Sequence, residues 1–173
     1  MKKNRTIVLL VALVIAQFVV WAVIDSRSPD RPPGLVVGDD VSSVVTLGAD
    51  GTERPLTAEG PSLLLVFHSE CGHCRRVAPD WRRWIEEHGT ELRVIAISKE
   101  EREPAVAYAR EHGWEVEVRT VEVGLLGGRE HALTARTPWL FALDGAGIVI
   151  GEGHGSRIDE LGALVRDRQG AEG

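Results

Sequence analysis

Cysteine is nearly absent: two of 173 residues, Cys71 and Cys74, both inside the heptapeptide HSECGHC. With no further thiol, a zinc site lacks its second pair of ligands, and His88, His112, His131 and His154 form no H-x3–5-H pair to replace them. A c-type haem tether needs histidine directly after the second cysteine, where Arg75 stands. A two-residue loop between thiols is no staple, and a chain of this length needs none. Positive charge is also short. Residues 25–173 carry 17 Lys+Arg against 26 Asp+Glu, a net charge of −9 that argues against nucleic acid or an anionic surface as partner. No internal repeat is present.

Charge is missing altogether from Thr6 to Ile24, a 19-residue run in which only Thr6 and Gln17 are polar. About 20 apolar residues cross a bilayer as a helix. Lys2, Lys3 and Arg5 precede the run and Asp25 follows it, so the positive-inside rule puts the N-terminus in the cytoplasm. The run exceeds a usual signal-peptide core and lacks a small-x-small cleavage site after it, which favours an uncleaved anchor. The expected organisation is a cytoplasmic stub (1–5), a transmembrane anchor (6–24), a Pro-rich linker (25–35), a folded domain (36–168) and a frayed tail (169–173). Beyond the membrane the compartment is oxidising, where a lone dithiol is chemical rather than decorative.

Strand and helix signals alternate through the domain. Val41–Leu56 reads as a β-hairpin turning at Asp50-Gly51. Ser62–Ser69 is an apolar run too short for a helix and reads as a buried strand. Gly72–Glu87 places Val77, Ala78, Trp81, Trp84 and Ile85 at helical spacing, and His88-Gly89 stops it. Leu92–Ser98 is a strand, Glu101–Gly113 a helix and Glu115–Val121 a strand. Gly124–Arg136 reads as loop with a helical turn or two near Arg129–Leu133. Thr137–Gly153 is a hairpin, and a helix capped by Ser156 runs to Arg168. The order predicts an α/β fold, a mixed sheet with helices on both faces.

The two thiols stand where this strand ends and this helix begins. A cysteine in the first turn feels the positive end of the helix dipole, which favours thiolate and makes Cys71 the nucleophile. Cys74, one turn deeper, is the resolving thiol. Gly72 would allow a tight turn, and a cationic or hydrogen-bonding His73 would stabilise the Cys71 thiolate and make the disulfide more oxidising. A copper site of both thiolates and a distant histidine, His131 being best placed, is also compatible with the spacing.

The motif CGHCRRVAP, with Pro79 five residues after Cys74, and the later TPW resemble the thioredoxin superfamily. The resemblance covers about residues 36 to 168. It implies a thioredoxin-like fold and makes Pro138 the counterpart of that superfamily's cis-proline, with Thr137, Pro138 and Trp139 lining the substrate groove. The anchor, the N-terminal hairpin and an extra strand-helix unit between Cys71 and Pro138 are similar to membrane-tethered ResA/TlpA-type thiol–disulfide oxidoreductases. That likeness implies a bacterial inner-membrane protein with a periplasmic domain that reduces or exchanges disulfides in protein substrates, apocytochrome c cysteines included. It needs a membrane partner to carry electrons or to re-oxidise it, and no cofactor. The alternative is a Cu(I) metallochaperone on the same fold; a thiol peroxidase is disfavoured because no Pro/Thr pattern precedes Cys71.

Three positions depart from the pattern. Glu70 replaces the usual Trp before the first cysteine and should raise the Cys71 pKa. Leu65 and Val77 occupy the two places where a carboxylate usually assists the second cysteine. Water, Glu70 or His68 is left to take the proton of Cys74.

Overall fold

The structure is a computed structural model that describes residues 34–56, 60–122 and 128–172, with positions 14 and 17 in addition. Apart from those two positions, the expected anchor and most of the linker lie outside the described residues. Among the described residues no helix is long and apolar enough to cross a membrane.

Seven strands form one mixed sheet: β1 (Val45–Gly48), β2 (Glu53–Pro55), β3 (Ser62–Val66), β4 (Arg93–Ser98), β5 (Glu117–Thr120), β6 (Trp139–Leu143) and β7 (Val149–His154). The helices are α1 (Gly72–His88), α2 (Arg102–Glu111), a short α3 (Arg129–Leu133) and α4 (Ile158–Glu172). The strand order is β2-β1-β5-β4-β3-β6-β7. β3, β4 and β5 run parallel, while β6 and β7 on one side and the β1–β2 hairpin on the other are antiparallel. The hairpin turns at Gly51, whose φ of +81° is a conformation that favours glycine.

Interior β3, between β4 and β6, is buried at every position, and its pleat divides the core. Leu63, Leu65 and the following Phe67 face Cys74, Ala78, Trp81 and Trp84 of α1, Tyr108 of α2 and Leu161 of α4. Leu64 and Val66 face the opposite layer with Leu35, Val41, Val44, Leu56 and Leu133. The expected helices on both faces are thus unevenly shared among the described residues: three long helices lie on one face, and the other holds α3 and the extended segment from Leu35 to Val44. Right-handed crossovers explain it, because β3-α1-β4 and β4-α2-β5 step the same way across the sheet and so place both helices on the same side.

Three boundaries differ from the sequence reading. Leu35, assigned to the linker, is a core residue at 4% exposure, packed in the second layer with Val41, Val44, Leu56 and Leu133. Ser156 lies inside a 3-10 turn, Gly155–Arg157, and the cap is His154, whose Nδ1 accepts the Ser156 N–H (3.2 Å). The final helix continues past Arg168 to Glu172, with Gly170 inside it.

The hairpin is fastened to the sheet edge by charge. Arg119 on β5 is 1% exposed, and its guanidinium meets Glu117 (2.7 Å), Pro55 O (3.2 Å) and Thr46 Oγ1 (3.4 Å). Glu117 also binds Arg54 (2.8 Å), which reaches Asp50 in the turn (2.9 Å). Removing one partner of a buried pair strands the other charge. Glu117→Ala should therefore cost about 3 kcal/mol in urea denaturation, whereas exposed Asp50→Ala should leave the midpoint nearly unchanged.

Candidate active site

β3 ends at Val66, and the chain turns through Phe67-His68-Ser69-Glu70 into α1. Cys71 is the N-cap: its backbone is extended (φ −78°, ψ 111°), its N–H bonds His68 O (3.0 Å), and its Sγ accepts the Cys74 N–H (3.4 Å). No acidic residue stands in the first turn, so the sulfur itself takes the place of the usual capping oxygen. Its thiol also points at Thr137 O (3.7 Å), and the Thr137–Pro138 peptide is cis. Cys71 and the Pro138 loop therefore face each other, as the sequence reading expects.

The two thiols live in different surroundings. Cys71 is partly exposed and Cys74 fully buried. Burial alone would push the Cys71 thiol up, but hydrogen bonds from the Cys74 side chain and N–H, from the Thr137 side chain and from the His73 N–H outweigh it, leaving Cys71 more acidic than an ordinary cysteine. Cys74 is pushed up to about 12, first by burial and then by its thiol contact with Cys71. The net shift at Cys71 is downward despite Glu70, whose side chain is exposed.

The residues between the cysteines act differently from expectation. Gly72 has no positive φ, and a Cβ there would meet nothing within 4 Å, so the turn does not require glycine. The imidazole of His73 is exposed, and the contribution seen at Cys71 comes from its backbone N–H.

The loop opposite is clamped to α1. Trp81 donates Nε1–H to Gly155 O (2.7 Å), and the Gly155 N–H bonds Pro138 O (3.2 Å). A Cβ on Gly155 would lie 2.8 Å from Trp81 and 3.0 Å from Pro138, so the two approach this closely only over glycine. Trp139 is half-buried, with Nε1 on Glu152 (2.6 Å) and Arg136 over its ring at 4.0 Å.

Behind the loop lies Glu100, which the sequence reading passes over. Its carboxylate accepts the Ser69 N–H (2.8 Å), the Ser69 hydroxyl and the Ser98 hydroxyl (2.9 Å), and lies 3.5 Å from His68 Nδ1. Burial would raise its pKa, but the two Ser69 contacts, the Ser98 hydroxyl and His68 together hold it below the usual carboxylate range. The signal available was the position: Glu100 follows β4, the parallel neighbour of β3, so both strand ends meet beside the dithiol. His68 Nδ1 is also 3.2 Å from the Glu70 N–H. Leu65 is core, and Val77 packs against the same layer.

Among the described residues no three His, Cys, Asp or Glu come close enough to hold a metal, so His131 does not join the thiols.

No family model matches the chain. Curated relatives from Mycobacterium strains KMS and JLS, each a putative S-adenosyl-L-methionine-dependent methyltransferase, are 39% identical over 71 residues. That match spans 38% of this chain and only 23% of theirs, too little of either to carry an activity across. Solved structures match far more of it. A thio-disulfide isomerase from Thermus thermophilus superposes with a TM-score of 0.56 at 24% identity, over 76% of this chain and 96% of its own. A peroxidoxin, BcpB, from Mycobacterium tuberculosis gives 0.58 at 16% over the same shares. A thioredoxin-like protein from Porphyromonas gingivalis gives 0.54 at 23%, over 75% and 93%. The fold is thioredoxin-like.

Two outcomes are expected. Alkylation of the reduced protein should modify Cys71 with a pH midpoint below that of a free cysteine and leave buried Cys74 of the native protein unmodified near neutral pH, read by peptide mass spectrometry. Gly155→Ala should lower stability by about 1–3 kcal/mol and slow thiol exchange, because Trp81 and Pro138 must separate.

Proposed function

We propose that this chain is a thiol–disulfide oxidoreductase that reduces or exchanges disulfides in protein substrates. The observation that carries the reading is the asymmetry of the pair: an acidified, accessible Cys71 capping α1 opposite Pro138, and a buried Cys74 held as thiol up to about 12.

The Cys71 thiolate attacks one sulfur of a substrate disulfide. The substrate S–S bond breaks, a mixed disulfide forms, and the released substrate sulfur takes a proton from water. Cys74 then loses its proton and attacks Cys71 Sγ; the mixed disulfide breaks, and the second substrate sulfur leaves. The substrate gains two electrons and the protein holds a Cys71–Cys74 disulfide. Thr137 and Pro138 form the wall against which an extended substrate lies, and Trp139, fixed by Glu152 and Arg136, holds that wall in place.

The setting completes the reading. Thr6–Ile24 tethers the domain to the bacterial inner membrane with its dithiol on the periplasmic side. A membrane partner then returns the protein to its working redox state, and extracytoplasmic proteins such as apocytochromes c are the substrate class.

Cys71→Ser should abolish reduction of a protein disulfide, while Cys74→Ser should accumulate the mixed disulfide with substrate. The reading fails if Cys71→Ser retains the activity. The reduction potential of the full chain reports direction of flow: about −270 mV marks a reductant like thioredoxin, and about −120 mV a strong oxidant.

A further inference from the structure

Thr137 turns its carbonyl towards Cys71 from just outside the sheet. The β6 ladder begins at Trp139, and Pro138 O takes the Gly155 N–H, so the sheet fixes the chain after Thr137 and leaves its upstream side to other contacts. Arg136 supplies them. Its guanidinium carbon lies 4.0 Å from the centroid of the Trp139 ring, its Nη2–H donates to Leu35 O (3.2 Å), and the same nitrogen stands 3.6 Å from the Glu152 carboxylate. Trp139 donates Nε1–H to that carboxylate (2.6 Å). The two residues that bracket Thr137 and Pro138 are thereby closed on each other and on one shared anion.

The posts of this clasp are firm. Leu35 is 4% exposed in the second core layer, and Glu152 belongs to β7. Gly34 lets the chain pass beneath the guanidinium, because a Cβ there would overlap Arg136 Nη2. Trp139 packs against the second layer, whereas Cys74 belongs to the first. The clasp therefore grips the loop from the sheet face opposite α1 and leaves the side facing Cys71 to substrate. Arginine suits the place because one planar group both stacks on an indole and donates in its own plane, which a lysine ammonium does not do.

We propose that Arg136 is a positioning residue for polypeptide substrates: clasped on Trp139, Glu152 and Leu35, it holds the Thr137–Pro138 wall where an extended chain presents its disulfide to Cys71. The assignment rests on the exchange reading above and names what that site favours. A small disulfide needs only to reach Cys71 Sγ. A polypeptide must also lie along the wall, so a displaced wall penalises it more.

The full reduced chain is given two oxidants at pH 7, insulin as a protein disulfide and dithiobis(nitrobenzoate) as a small one, and the second-order rates are compared. In Arg136→Ala the ratio of the insulin rate to the small-disulfide rate should fall roughly tenfold, equivalent to about 1.4 kcal/mol. Gly34→Ala leaves every residue of the clasp in place but drives the guanidinium off its seat, and its ratio should fall in the same direction. Arg136 is partly exposed, so its loss opens no core and the melting temperature should stay close to that of the parent. A merely structural arginine would slow both oxidants together. Equal slowing of the two, or an unchanged ratio in both variants, overturns the assignment and leaves the exchange reading intact. A parent chain that fails to reduce the protein disulfide overturns the exchange reading, and this assignment with it.

Discussion

A helix must satisfy the N–H groups of its first turn, and α1 does so with a sulfur. Serine, threonine, asparagine and aspartate, which usually cap, are absent at that point, and no acidic side chain follows in the first turn. Cys71 Sγ is therefore both the cap and the reactive atom. The N–H groups of His73 and Cys74 are orphan donors of the helix end, and they gain most when the sulfur is negative. Helix formation and thiolate formation draw on one contact, so the reduced state is where both are best satisfied.

Everything around that cap fixes its position from a different direction. β3 brings the chain to it from the centre of the sheet, and Glu100, at the end of parallel β4, holds the Ser69 backbone just before it. From above, Trp81 and Gly155 press the Pro138 loop against α1. From below, Phe67, Tyr108 and Trp114 close the layer in which Cys74 is buried. Cys71 alone of the two thiols keeps a path to solvent, so packing and acidity both favour it as the first to attack in the proposed exchange.

The parts legible in the sequence are those whose cause is local. The alternation of strand and helix follows periodicity, and the placement of Cys71 at a helix N-terminus follows from an apolar run meeting an amphipathic one. The cis peptide at Pro138 was expected from a two-motif likeness, not from composition. What escaped reading depends on contacts between distant segments. Glu100 looks like one acid in the run KEE until β4 lies beside β3, and Leu35 looks like linker until it packs with Leu64 and Val66 in the second layer. Gly72 misled for the opposite reason: glycine between two cysteines suggests a tight turn, yet its backbone is ordinary helix.

The route of the proton from Cys74 brings these pieces together. Glu70 is exposed, with its N–H close to His68 Nδ1, and Glu100 is already occupied by two serines with His68 beside it, so neither carboxylate is a free base within the layer that holds Cys74. A carboxylate inside that layer would itself have to be desolvated, and its charge would oppose a second anion nearby. An apolar layer avoids both costs: the thiol stays neutral at rest, and in the proposed exchange the new charge lasts only until the S–S bond forms. Once Cys71 is in a mixed disulfide its negative charge is gone, and with it one of the effects that hold Cys74 protonated. In the proposed exchange the first step thereby eases the second.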